Sequence, residues 1–277
     1  MRGVAWGRPS VRPGPLWGPP PRSAVPVAPT AQVHASARLG AGVEVGHFSV
    51  VGPGVEVGAG CRIGHHVVLH EGTRLGAGVR VDDHAVVGKR PMRAARSTTT
   101  AEGGGLSPAR LGDGCLVGTG AVLYRGCRLG ERVLVADLAT VRERVTVGDE
   151  TIVGRGVAVE NDTAVGARCK LETNAYLCAH TVLGDDVFVA PGVLTSNDAF
   201  LGRTEARKAR FGGPTVRDGA RLGVGAVLLP GREVEAEAVV GAGAVLTGDA
   251  RAGRVWVGVP ARDARAVAPE QLRENGG

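Results

Sequence analysis

The chain has 277 residues, with 45 Gly but only three Trp, two Tyr and four Phe, so its 43% hydrophobic content must build a core from Val, Leu and Ala. The formal charge of +6 is concentrated at the start: residues 1–30 hold Arg2, Arg8, Arg12 and Arg22 and no acid, and the rest is close to balanced, which excludes a general nucleic-acid footprint. No apolar run approaches the ~20 residues of a membrane-spanning helix, and the glycines lack the Gly-X-Y period of collagen.

Residues 1–30 also hold eight of the 16 Pro and no apolar signal core, and read as a disordered Pro-rich leader. From Val33 a six-residue period takes over. An apolar position, here called i, falls at Val33, Leu39, Val45, Val51 and every sixth residue to Val87. It resumes from Leu111 to Val189 and again from Val216 to Leu246. All 30 such positions are Val, Leu or Ile. Position i+4 is small, as at Ala37, Ser49, Cys61, Thr151 and Ala226, with Arg232 the exception, and i+1 is usually Gly, as at Gly40, Gly46 and Gly112. A branched residue at i and a small one at i+4 point inward, and Gly between them lets the chain turn a corner. Three hexads then close one triangular rung of 18 residues, and successive rungs pair as parallel strands. The expected fold is all-β, a parallel β-helix of about ten rungs over residues 31–253, roughly 48 Å long at ~4.8 Å per strand. Residues 254–277 form a short C-terminal extension. A β-sandwich would need period-2 alternation and hairpin turns, and neither is present.

Two insertions break the period, at 88–110 and 196–215. Both are basic, with Lys89, Arg90, Arg93 and Arg96 in the first and Arg203, Arg207, Lys208 and Arg210 in the second. Irregular loops on a regular scaffold tend to carry binding groups, and these cations suit phosphate, so Lys89 and Arg90 are candidates for substrate contact. The outward column Leu116, Leu134, Ile152 and Phe188, interrupted by Lys170, is spaced by 18 or its multiples and predicts a face buried on another subunit.

The hexads, together with the closing segment Trp256-Val257-Gly258-Val259-Pro260-Ala261-Arg262, resemble the hexapeptide-repeat acyltransferases. The first half, with GHFSVVGPGVEVGAG, is similar to UDP-N-acetylglucosamine acyltransferases. The second half, with TSND, an insertion and VRDGARLGVGAVLLPG, is similar to nucleotide-sugar N-acetyltransferases. The resemblance implies a left-handed coil, a homotrimer, and an acyl thioester bound in the groove between subunits. The donor it implies is acyl-coenzyme A, acetyl-coenzyme A foremost, and the acceptor an amino sugar, nucleotide-linked. An acyl carrier protein is the alternative donor, because the basic insertions would suit an acidic partner.

Asp162, His180 and Asp198 are each 18 apart, at i+3, and stack on one corner if the rungs continue, with Asn161 and Asn197 in the next column. A carboxylate beside an imidazole raises its basicity, so His180 is the candidate general base and Asp162 its neighbour toward substrate. The resemblance places the catalytic His of the UDP-N-acetylglucosamine acyltransferases around Ala139–Glu143, where this chain reads ATVRE; His180 matches a second His of that family. It also gives Asn197 and Asp198 roles at the reacting centre, places pantetheine along Gly225-Ala226 and Gly243-Ala244, and offers Arg262 and Arg265 to coenzyme phosphates.

GHHVVLHEG raises a rival, a γ-carbonic-anhydrase-like zinc protein, since His65 and His70 are five apart and His47 stacks on His65. The third ligand's expected place holds Gly52, so no metal is expected. A catalytically silent trimeric scaffold is the remaining alternative. Cys61, Cys115, Cys127 and Cys169 are inward i+4 residues, and unpaired buried thiols fit a reducing cytoplasm.

Overall fold

The computed structural model describes residues 27–92 and 105–273. The leader up to residue 26, Arg93, Arg96 and residues 274–277 lie outside the described residues. The chain is a left-handed parallel β-helix. Two-residue strands pair with those one turn away to form three sheets of 11, 10 and 12 strands. The expected count of about ten turns is therefore slightly short. The coil starts earlier than residue 31, because Val27 already bridges to Val45. At the other end Arg254–Val257 continues the third sheet in parallel, and Arg262–Ala266 closes it antiparallel.

The core is a column of Val, Leu and Ile from the i positions, with residues such as Leu69, Leu123, Leu177 and Leu228 fully buried. β-branched residues suit this site because a pleated strand accepts their fixed χ1. The small i+4 residues do more than save space. Ser49 Oγ donates to Gly64 O at 2.7 Å, Thr151 Oγ1 to Gly166 O at 2.8 Å, and Cys61 Sγ to Gly76 O at 3.0 Å. Each closes onto a carbonyl 15 residues ahead, so a short polar side chain can sit inside without an unsatisfied donor.

The i+1 glycines have a different cause from the one expected. Apart from Gly88, none of them is left-handed, and the turn is made by the left-handed residue at i+3, such as Gly42, His66 or His180. What i+1 needs is room: a Cβ on Gly46 would lie 2.4 Å from Gly64 O, and on Gly112 2.4 Å from Gly130 O.

The outward residues differ by face. The first face presents Val50, Val68, Val86, Val122, Thr140, Ala158, Tyr176, Leu194, Val227 and Val245 in register. The second begins with Arg38, Glu56, Arg74, Arg110 and Arg128. The third carries the predicted column, with Leu116, Leu134, Ile152, Lys170 and Phe188 consecutive. Glu44, Arg62 and Arg80 precede that stretch and Arg221 follows it, so the edge between the third and first faces lies between two apolar surfaces only in the middle of the coil.

Candidate functional site

Most corner carboxylates are structural. Asp83, Asp113, Asp137, Asp149 and Asp185, all at i+2, each accept a backbone N–H from the preceding turn at 2.7–2.9 Å. The edge between the first and second faces is different. There Arg142-Glu143-Arg144, Glu160-Asn161-Asp162, Cys178-Ala179-His180 and Ser196-Asn197-Asp198 occupy successive turns.

Asp162 and His180 do stack. The strands below them pair Ala158 with Tyr176 and Val159 with Leu177, and His180 N–H donates to Asn161 O at 3.3 Å. His180 is exposed. The Asp162 carboxylate, however, is gripped by Arg144, with Nε and Nη2 at 2.5 and 2.8 Å, and by Asn161 Nδ2 at 2.6 Å. Burial pushes Asp162 up, but those hydrogen bonds outweigh it and hold it below the usual carboxylate range.

Asp198 sits where the second insertion leaves the coil and is used locally. Its oxygens accept Phe200 N–H and Gly202 N–H, both at 2.9 Å, and pair with Arg207 at 3.2 Å. The residue that comes to lie against His180 is Gly213, on the return: a Cβ there would sit 2.7 Å from the His180 carbonyl carbon. Asn197 stays at the corner and donates Nδ2 to Ala179 O at 3.2 Å. Thr195 takes the inward position just before the insertion. Its hydroxyl accepts Cys178 N–H at 2.7 Å and donates to Tyr176 O at 3.1 Å.

Sequence reasoning missed the layer above. Glu143 is fully buried and held by Arg142 at 2.9 and 3.2 Å, and Arg142 also reaches Glu160 at 3.1 Å and lies 4.9 Å from the Tyr124 ring centroid. The signal was available: Tyr124, Arg142, Glu160 and Cys178 are 18 apart in one column.

The expected basic loops are largely engaged with their own chain. Arg90 pairs with Glu71, Lys208 with Glu205 and Arg207 with Asp198, while Lys89 and Arg210 lie over Tyr124 and Phe200. Gly225 and Gly243 lie on a different edge from His180, between the third and first faces, in left-handed conformation with open space where a Cβ would be. Ala226 and Ala244 point inward and are fully buried, and their peptide groups bond within the coil. Arg262 and Arg265 are exposed on the final strand, and each donates to a neighbouring carbonyl.

The histidines of the other edge stack rather than converge. His47 and His65 are 5.6 Å apart, His66 and His84 4.9 Å, and His65 Nδ1 already accepts the His47 N–H. Among the described residues, no group of three His, Cys, Asp or Glu is placed to share a metal ion. His70 lies on the His180 edge instead; burial and the cations Arg90, Lys89 and Arg125 hold its imidazole below the ordinary value. No described helix is long and apolar enough to cross a membrane.

Residues 36–71 match the model of the bacterial transferase hexapeptide (six repeats), and residues 108–136 and 215–248 that of the hexapeptide repeat of succinyl-transferase. Hexapeptide repeats are thus matched in three segments of the coil. No curated sequence matches the chain. Its coil is similar to that of the Arabidopsis UDP-N-acetylglucosamine acyltransferase, at 19% identity over 90% of this chain and 77% of that one, with a TM-score of 0.58. The corresponding acyltransferase of Francisella novicida shares 17% identity, 90% and 73% coverage and a TM-score of 0.52. That of Bacteroides fragilis 9343 shares 17% identity, 90% and 78% coverage and a TM-score of 0.50. At these identities the likeness is one of fold.

Proposed function

We propose that the protein is an acyltransferase that moves an acetyl or other acyl group from acyl-coenzyme A to the amino group of a nucleotide-linked sugar, working as a homotrimer. The observation that carries the reading is the exposed His180, one turn from Asp162 on the edge where the second insertion leaves and returns. In this reading His180 Nε2 or Nδ1 accepts the amine proton as nitrogen attacks the thioester carbonyl. The C–N bond forms, the C–S bond breaks, and the coenzyme thiolate leaves and takes a proton. Asp162, kept anionic by Arg144, favours the imidazolium that forms. Asn197 has a second N–H for the carbonyl oxygen, while Asp198 positions the loop rather than touching substrate. Gly225 and Gly243 give the pantetheine arm an open edge, and Arg262 and Arg265 face solvent for its phosphates.

Because His180 and these glycines occupy different edges of one chain, the reading needs a neighbour: the donor edge of one protomer beside the His180 edge of the next. An acyl-carrier-protein donor draws less support, since most described cations of the insertions have partners in their own chain.

Coenzyme A release should be followed with acetyl-coenzyme A and a panel of UDP- and dTDP-amino sugars. His180→Ala should lower kcat by about 10²–10⁴-fold. An unchanged kcat would remove the base and leave alignment of amine and thioester as the source of rate; no turnover with any acceptor would remove the transferase.

A further inference from the structure

The second face carries an arrangement that the repeat does not require. Arg74, Arg110 and Arg128 stand in direct register on three consecutive turns, all exposed. Like charges directly opposite on a sheet repel. Arg74 has Glu56 at 3.7 Å, but Arg110 and Arg128 have no ion pair among the described residues. The column runs into a cavity of about 330 Å³ beside the return of the first insertion, lined by Gly105, Leu106, Ser107, Gly126, Arg128, Arg144 and Thr146. That lining holds two guanidiniums, two hydroxyls and no carboxylate. Arg144 spends its Nε and Nη2 edge on Asp162, which leaves Nη1. The wall is fixed: Arg125 ties the loop down by donating to Leu106 O at 2.9 Å and to Glu71 O at 2.7 Å.

We propose that this cavity binds the phosphates of a substrate, with Arg128 and Arg144 as the charged clamp and Ser107 and Thr146 as hydroxyl donors. Cations and hydroxyls without a competing acid are the donor set of a phosphoryl group. Arg144 stands two turns above His180 on the same edge, roughly 10 Å away at ~4.8 Å per turn. A diphosphate held there leaves its attached sugar within reach of His180, so the occupant is the diphosphate of a nucleotide-linked acceptor rather than the phosphates of coenzyme A. This placement rests on the reading of His180 given above; the phosphate site itself does not.

Calorimetry on the full chain, with inorganic pyrophosphate, UDP and coenzyme A as separate probes, tests the site. Pyrophosphate and UDP should bind, and Arg128→Gln should weaken both by at least about tenfold. Coenzyme A affinity should not change. Arg62→Gln, at another exposed arginine, on the third face and away from the cavity, is the control and should leave all three intact. Ser107→Ala, which removes one donor without touching charge, should weaken UDP by a smaller factor. Equal loss in the Arg62 and Arg128 variants, or none in either, overturns the site. Loss of coenzyme A affinity with UDP unaffected overturns the acceptor assignment. If UDP binding depends on Arg128 while no acyl transfer is found, the phosphate site stands and the transferase fails; transfer with an acceptor KM indifferent to Arg128→Gln fails the site alone.

Discussion

One methyl group is enough to separate two turns of this coil. Gly46→Ala places a Cβ against the next turn's backbone, and overpacking of that kind costs about 1–3 kcal/mol. Gly42→Ala meets open space and pays only for its positive φ of 71°, about 1–2 kcal/mol. Denaturant unfolding should therefore separate them by the response to Asn: Gly42→Asn should regain stability, since Asn tolerates the left-handed region, and Gly46→Asn should not. Charge acts at the same scale. A carboxyl held below its unfolded pKa of about 3.9 stabilises the fold above that pH, and the contribution is lost as pH falls through the folded value. Asp162 is such a group. Asp162→Asn should lower Tm at pH 7, and its deficit should close below about pH 4. Burial acts oppositely on a thiol: it pushes Cys127 up to about 12. Its contribution is intact below the unfolded pKa of about 8.5 and lost as pH rises from there toward 12, so Cys127→Ala should flatten the alkaline limb of the Tm profile.

At the scale of the element, every hexad has the same inside and a different outside. Deleting residues 51–56 keeps the inward pattern but rotates the preceding turns by one face, so Gln32 and Val50 of the first face fall in line with Arg74 on the charged second face and Arg38 of the second face falls in line with Arg62 on the third. Deleting residues 51–68 removes a whole turn and keeps every column in register. Both variants should fold, because solenoid turns contact only their neighbours. Circular dichroism should show β-structure in each, and light scattering should show full assembly only for the 18-residue deletion. Identical assembly in both would mean that the faces do not set the contact.

In the middle of the coil the first face and the Leu116–Phe188 stretch of the third, interrupted by Lys170, flank one edge, and a monomer rarely leaves extended apolar surface to water. Leu134→Lys on the third face and Val122→Lys on the first should each reduce the mass in light scattering to that of one chain, with the coil intact. Substituting Arg38, on the charged face, should not. Loss of activity together with loss of assembly would follow if donor and base edges come from different protomers.

How much of this was legible beforehand follows from the period. Val27 escaped because it lies among prolines, and Thr195 because a polar residue occupies an apolar position with its hydroxyl satisfied locally. The stacking of Asp162 on His180 could be read from their spacing of 18. That Arg144 takes the Asp162 carboxylate could have been, since it is one more step of 18, yet nothing local distinguishes that pairing from those of other corner arginines. The use of Asp198 to tie its own loop could not, because the register ends where the insertion begins. Spacing alone fixed the prism, its inward columns and the residues sharing each edge, since a strictly repeated side-chain pattern has one periodic way to bury itself. Which polar groups on an edge bond to one another, where the insertions return, and what cavity they close against the second face were decided only by tertiary structure, because those contacts join residues that no period relates.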